Sequence, residues 1–371
     1  MTGLLKLFNE FPVESSRRSS LKIKVLVIDD SALVRTLLTE IINANEDMEV
    51  VATAADALIA RDLIKLHNPD VLTLDIEMPK MDGLVFLERL MRLRPMPVIV
   101  ISSLTVPGSE TALRALKLGA VDFVTKPKLN SGSGLIEGAD VIVSKIRMAV
   151  KVEMRIPFVD ISSGVNFHNI NVLPTPICVS AEKLIVIGAS TGGVVAISTF
   201  LMEMTADCPG ILITQHMPAG FTLSFARRLD TLCRVTVKEA DDGEVVLPGH
   251  AYIAPGGKHM RVTKKEGSFY IQIDDSAPVN RHKPSVDVLF NSVAKYAGKQ
   301  ATGIIMTGMG RDGALGMLNM KHAGAYNFAQ DEESCAVYGM PKEAVALGAV
   351  DVIANLNSLA DLVRNQLLCG N

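Results

Sequence analysis

Three things are scarce in this sequence. No apolar run reaches the ~18 residues of a membrane span, so no membrane insertion is expected. Lys and Arg number 37 against 40 Asp and Glu, a formal charge of -3. The basic surplus of a nucleic-acid binder is missing, and there is no basic helix-turn-helix. The five cysteines, Cys178, Cys208, Cys233, Cys335 and Cys369, are scattered and form no C-x-x-C pair. That excludes a disulfide framework and a structural zinc site and predicts a reducing, cytoplasmic setting. Residues 1–20 carry Lys6, Arg17 and Arg18, are interrupted by Glu10 and Glu14, and hold no continuous apolar segment. No signal peptide is read there; a disordered extension is expected, with a short amphipathic tether through Leu4, Leu5, Leu7 and Phe8 as the alternative.

Apolar residues are plentiful, 48% of the 371, enough for the packed cores of two or three domains. One stretch organises the rest: Gly188-Ala189-Ser190-Thr191-Gly192-Gly193. A β-branched apolar run, 184–187, precedes it and a helical stretch, 194–204, follows. Strand, glycine-rich turn with serine, helix is the context of a nucleophile elbow, in which flanking glycines let the chain bend and the serine oxygen stand clear. A phosphate-binding or purely structural turn has the same composition. A dinucleotide site fits less well, because G-x-G-x-x-G is absent.

Upstream of it, strand-like segments at 23–28, 48–52, 71–74, 98–101 and 122–124 alternate with helical ones starting near 32, 55, 83 and 109, and a fifth helix through 141–150. This predicts an α/β domain with a parallel sheet over 21–150. The residues after the strands share a chemistry: Asp29 and Asp30, Asp75, Ser102 and Ser103, then Lys126. Strand carboxyl ends form the ligand crevice of such sheets. Clustered carboxylates with oxygen donors suit Mg²⁺, and a carboxylate beside a cation, a lysine and a hydroxyl is a phosphoryl acceptor. A lone acid there would only cap a helix.

Residues 129–134 read as flexible, and 151–181, with three prolines between 157 and 179, as an irregular linker. Strand–helix alternation resumes over 182–371, with strands at 184–187, 211–214, 234–237, 251–254 and 303–307. An antiparallel hairpin, 260–263 with 269–273, interrupts it. Ser190, His216 and Asp312 each follow a strand, so three chain-distant residues can meet as nucleophile, base and orienting carboxylate. His250, His259, His282 and His322 are competing histidines. Asp241, Asp242 and Asp287 are competing acids. Glycines flank Met309 and leave its amide open as an oxyanion donor.

The motifs Asp29-Asp30-Ser31, Asp75-Ile76-Glu77-Met78-Pro79-Lys80-Met81-Asp82-Gly83 and Lys126-Pro127 resemble a response-regulator receiver domain. The resemblance implies a flavodoxin-like, five-stranded fold and phosphorylation of Asp75 by a histidine kinase. It implies Mg²⁺ held by Asp29, Asp30, Asp75 and the Glu77 carbonyl, with Lys126 and Ser102 as switch residues; Ser103 is the alternative hydroxyl. In that family the Lys-Pro bond is usually cis. Downstream, Gly188 to Gly193, Gln215-His216-Met217-Pro218, Ala254-Pro255-Gly256-Gly257-Lys258-His259-Met260, Lys283-Pro284-Ser285-Val286-Asp287-Val288-Leu289-Phe290, Gly308-Met309-Gly310-Arg311-Asp312-Gly313 and Tyr338-Gly339-Met340-Pro341-Lys342-Glu343-Ala344 are similar to the CheB-type chemotaxis protein-glutamate methylesterases. That resemblance implies a Rossmann-like, doubly wound catalytic domain without its own cofactor. It implies Ser190 as nucleophile, His216 as base, Asp312 as carboxylate and Met309 N–H in the oxyanion hole, with Thr191, Gly192 and Gly193 at the pocket. The implied substrates are methyl esters, and glutamine amides, on the cytoplasmic helices of chemoreceptors; a monomer is expected. The N-terminal extension and the long linker exceed a minimal member.

Overall fold

The computed structural model describes residues 22–78, 82–102, 106–126, 132–152 and 182–369. The N-terminal extension, most of the linker, Ser103 and Pro127 lie outside the described residues, and so does the expected Lys-Pro geometry.

The first sheet is built from β1 (Ile23–Ile28), β2 (Met48–Ala54), β3 (Val71–Asp75), β4 (Val98–Ser102) and β5 (Asp122–Thr125). Its order is β2-β1-β3-β4-β5, and every pairing is parallel. The strands are mainly apolar because helices cover both faces: α1 (Ala32–Asn43), α2 (Ala57–His67), α3 (Gly83–Leu93), α4 (Val106–Lys117) and α5 (Gly132–Ala149). Ser31, Asp56 and Asp82 cap α1, α2 and α3 through side-chain bonds to backbone N–H groups, as expected of these residue types. The chain reverses direction across the sheet between β1 and β3, which opens a crevice there. Sequence composition predicts a flexible segment at 132–134, whereas α5 already includes these residues. Glycine disfavours helix, but Ile142, Val143, Ile146, Met148 and Ala149 bury one face of α5 on the sheet, and tertiary packing decides.

The second sheet has seven strands in the order β14-β13-β12-β6-β7-β9-β8, all parallel. They are β6 (Leu184–Ala189), β7 (Gly210–Gln215), β8 (Thr236–Glu239), β9 (His250–Ile253), β12 (Ala301–Ile305), β13 (Tyr326–Gln330) and β14 (Val352–Ala354). The predicted hairpin is β10 (His259–Lys265) with β11 (Ser268–Asp274), antiparallel in a sheet of its own. Among the described residues six α-helices surround them: α6 (Gly193–Met202), α7 (Phe221–Asp230), α8 (Val286–Tyr296), α9 (Ala314–His322), α10 (Met340–Ala346) and α11 (Leu356–Cys369). Sequence periodicity did not mark β13 and β14. Asn327 and Gln330 break the apolar run of β13 although both are fully buried, and β14 has three residues.

The two α/β units share a seam. Helix α4 packs on α7, and Phe123 stacks on Phe221 with ring centroids 4.6 Å apart. One apolar cluster runs across the seam and includes Leu113, Phe123, Phe221 and Phe225. Among the described residues no helix is long and apolar enough to cross a membrane.

Candidate functional site

Strand β6 is the switch point of the larger sheet. The chain moves from it to β7 on one side and later to β12 on the other, so the ends of β12, β6 and β7 adjoin where such sheets bind ligands. Ser190 leaves β6, His216 leaves β7 and Asp312 follows β12. His216 Nε2 lies 2.8 Å from Asp312 Oδ2. With Nε2–H donated to the carboxylate, Nδ1 carries the lone pair. That atom is buried and has no partner among the described residues.

Asp312 is held from several sides. Asn280 Nδ2 and the Ser285 hydroxyl donate to Oδ1 at 2.7 and 2.8 Å, and the Val286 amide donates to Oδ2 at 2.6 Å. The carboxylate thus sits at the N-terminus of α8, where free N–H groups and the helix dipole favour negative charge. Burial alone would raise its pKa. Hydrogen bonding and charge from His216, then the bonds from Asn280 and Ser285, outweigh burial and hold the carboxyl well below its usual range. Of the competing groups, His282 stacks on the His216 ring and Asp287 shares Asn280 with Asp312, while others have separate partners. Asp287 binds Gly316 N and Asn280 Nδ2, Asp242 takes the Ile273 amide, and His259 is buried between Ala277 O and Ser285 N.

The turn around Ser190 is fixed by backbone groups. Ser190 N–H donates to Thr307 O at 3.0 Å, and Gly193 N–H donates to Ser190 O at 2.8 Å. Gln215 Nε2 donates to the same Ser190 carbonyl at 2.9 Å. Gly192 has φ +79°, open to glycine and strained for other residues. At Gly193 an added Cβ would stand 2.1 Å from Gln215 Oε1 and 2.7 Å from Ala189 Cβ. Gly193→Ala is therefore expected to lower stability by about 1–3 kcal/mol, the usual range for overpacking, read as a lower urea midpoint at unchanged m-value. Gly308 approaches Ser190 from the other side, where a Cβ would lie 2.7 Å from Ser190 Cβ. The next residue, Met309, is 42% exposed, and among the described residues no backbone acceptor takes its amide.

Sequence reasoning missed the residues that support these groups. Gln330 Oε1 accepts the Thr307 amide at 2.9 Å, and the Thr307 hydroxyl donates to Thr191 O at 2.9 Å. Gln330 has no motif around it, and the motif that begins at Gly308 leaves out Thr307. The Thr191 side chain is engaged at the seam: its hydroxyl donates to Asp122 Oδ2 of the receiver at 2.5 Å. Asp122 Oδ1 takes Lys145 Nζ at 2.7 Å.

At the crevice of the smaller sheet, Asp29, Asp30 and Asp75 bring one carboxylate oxygen each within 4.8 Å of one another. Asp29 and Asp75 are fully buried. Lys126 Nζ lies 2.7 Å from Asp75 Oδ2 and 3.3 Å from Asp29 Oδ2. Burial, then the Asp75 charge, raises the pKa of Asp29. Burial would lower Lys126, but its bond to Asp75 and the charges of Asp75 and Asp29 raise it. Three carboxylates against one ammonium leave an excess of two negative charges, which a divalent cation would match. Ser102 is buried at the end of β4, and its carbonyl accepts the Lys126 amide at 2.8 Å. Glu77 is exposed, and its amide donates to Asp75 Oδ1 at 3.0 Å.

Comparison with known proteins gives two family matches, CheB methylesterase over residues 185–363 and response regulator receiver domain over residues 25–132. A protein-glutamate methylesterase/protein-glutamine glutaminase of Methylobacillus flagellatus is 61% identical over 347 residues, 93% of this chain and 97% of the relative. One from Bordetella bronchiseptica is 60% identical over the same shares of each chain. The solved catalytic domain of Thermotoga maritima CheB methylesterase is 36% identical over 49% of this chain and 97% of that one, with a TM-score of 0.49.

Proposed function

This chain belongs to the CheB protein-glutamate methylesterase/protein-glutamine glutaminase family, and from that premise we propose a mechanism in which Ser190, His216 and Asp312 cleave the ester. The enzyme is a response regulator of chemotactic adaptation. Its units are a receiver over 21–150, a linker over 151–181 and a catalytic domain over 182–371. The observation that carries the assignment is the oriented His216, with Nε2 on Asp312 and Nδ1 free. His216 Nδ1 takes the Ser190 proton as Oγ attacks the γ-carbonyl of a glutamyl methyl ester. The Met309 amide receives the developing oxyanion. The His216 proton then passes to the methoxy group, and methanol leaves. Water, deprotonated by the same imidazole, attacks the acyl-enzyme and releases glutamate and Ser190. With a glutamine substrate, ammonia leaves in place of methanol. The substrate side chains belong to cytoplasmic helices of chemoreceptors.

The donor set of the receiver crevice fits Mg²⁺, held by Asp29, Asp30, Asp75 and the Glu77 carbonyl. When bound, the ion would neutralise the carboxylates and the phosphoryl oxygens. Asp75 accepts the phosphoryl group from a histidine kinase, and Lys126 and Ser102 turn toward it. Lys126 directly follows β5, whose first two residues, Asp122 and Phe123, touch the catalytic domain. A shift at Lys126 is thus ~13 Å along one strand from the seam. In the closed arrangement the receiver rests beside the nucleophile and limits access; phosphorylation loosens it. Asp122→Ala removes the bond to Thr191. A buried hydrogen bond is worth about 1 kcal/mol net, so basal methanol release is expected to rise roughly fivefold without a phosphoryl donor. An unchanged basal rate would show that this contact does not hold the seam.

The test is methanol release from methylated receptor membranes, with and without a small-molecule phosphoryl donor plus Mg²⁺. Release that rises with donor supports both domains' roles. No release from the wild type with membranes of several receptor systems would sink the mechanism.

A further inference from the structure

The turn Val279-Asn280-Arg281-His282 has no part in the mechanism above, yet it grips both His216 and Asp312. Val279 and His282 close it by paired backbone bonds of 3.1 and 2.9 Å. Asn280 and Arg281 have φ of +53° and +67°. Two consecutive non-glycine residues in the left-handed region are strained, and such strain persists where surrounding contacts over-determine it. Here the contacts lead into the site. Asn280 Nδ2 donates to Asp312 Oδ1 at 2.7 Å. The His282 ring lies flat on the His216 ring, centroids 3.7 Å apart and planes 9° from parallel.

We propose that this turn is a positioning clamp for the base, in which His282 serves as a neutral aromatic plate that fixes the plane of His216. The inference rests on the assignment of His216 as the base. An imidazole whose one nitrogen is tied to Asp312 can still rotate about that bond. A flat ring on its face removes this freedom and fixes the direction in which the free Nδ1 lone pair points. When His216 takes the proton it becomes a cation lying on the face of His282. A neutral π-face attracts such a cation, whereas a charged plate would repel it. The groups that face His282 are His216, Asp312 and, from α5 of the receiver, Lys145. Burial, then the neighbouring His216, pushes the His282 imidazole down to about 4, against the opposing pull of Asp312. The plate is therefore uncharged at neutral pH.

The test compares His282→Phe, His282→Ala and His282→Arg in the full-length chain. Methanol release from methylated receptor membranes is measured across pH, with Ser190→Ala as the control. Phenylalanine keeps a flat neutral ring, so kcat and the acid limb of kcat/KM are expected to stay near wild type. Alanine removes the plate. Its kcat is expected to fall roughly tenfold to a hundredfold, the scale of a misaligned base, with KM little changed. Arginine keeps a flat group but adds a fixed cation against the base. Protonation of the base is opposed, so the acid limb moves to lower pH while kcat falls. A residue that only stabilised the fold would lower active enzyme in all three variants without moving the limb. Wild-type kcat and acid limb in His282→Ala, with Ser190→Ala inactive, overturns the clamp. If alanine does not fold, identical profiles for the phenylalanine and arginine variants overturn it. Full activity in Ser190→Ala instead removes the underlying mechanism.

Discussion

Ser190→Ala is expected to abolish methanol release, by a factor on the order of 10⁴ to 10⁶ in kcat, with the protein still folded. The size follows from the role. Without the oxygen nucleophile no acyl-enzyme forms, and what remains is the modest rate that binding and oxyanion donors give to water. The innocuous fold follows from the hydrogen bonds. The elbow is held by Ser190 N–H on Thr307 O and by Ser190 O accepting from Gly193 N and Gln215 Nε2, all backbone groups of residue 190 that alanine keeps. Asp312 offers no such clean experiment. It accepts from His216, Asn280, Ser285 and the Val286 amide, so its removal would unfasten α8 as well as the base. Circular dichroism and an unfolding midpoint near wild type, together with lost methanol release, are the expected pair for Ser190→Ala. Activity within tenfold of wild type would show that the serine is not the nucleophile.

This difference between Ser190 and Asp312 also marks what the sequence makes legible. The elbow is readable because a β-branched strand, a glycine turn and a helix are local, each with its own composition. The positions of His216 and Asp312 after strands are readable for the same reason. That β12, β6 and β7 adjoin is not local, and with it goes the choice of His216 over His259 or His282. Thr307, Asn280 and Gln330 lie outside the motifs, and the motif holding Gln215 does not say what its amide binds; each is a polar side chain whose partner is brought by tertiary folding. In β13 the buried Asn327 hides the strand, since its amide donates to Met317 O and Ala349 O, bonds that do not register as periodicity. The Thr191–Asp122 contact spans 69 residues between two units. Neither domain's sequence contains a reason for it.

In the proposed mechanism that contact joins the two chemistries, and Asp75→Asn tests the join. The variant is expected to lose all of the donor-dependent increase in methanol release while its basal rate stays close to wild type. An amide cannot form the acyl phosphate, because its oxygen is far less nucleophilic than a carboxylate and its NH₂ group is no acceptor of phosphoryl. It also surrenders the ion pair with Lys126, which is left with Asp29 at 3.3 Å. The basal rate is insulated because Asp75 ends β3, two strands from β5, and among the described residues its hydrogen bonds and ion pair are all within the receiver. The same reasoning orders the double variant. If phosphorylation acts by loosening the seam at Asp122, then Asp75→Asn with Asp122→Ala should release methanol at the raised rate of Asp122→Ala alone and ignore the donor. A double variant pinned at the basal rate of Asp75→Asn would mean that the phosphoryl group acts on the catalytic residues by another route than the release of this strand. Incorporation of phosphate, followed by mass, separates a receiver that cannot be charged from one that is charged but disconnected.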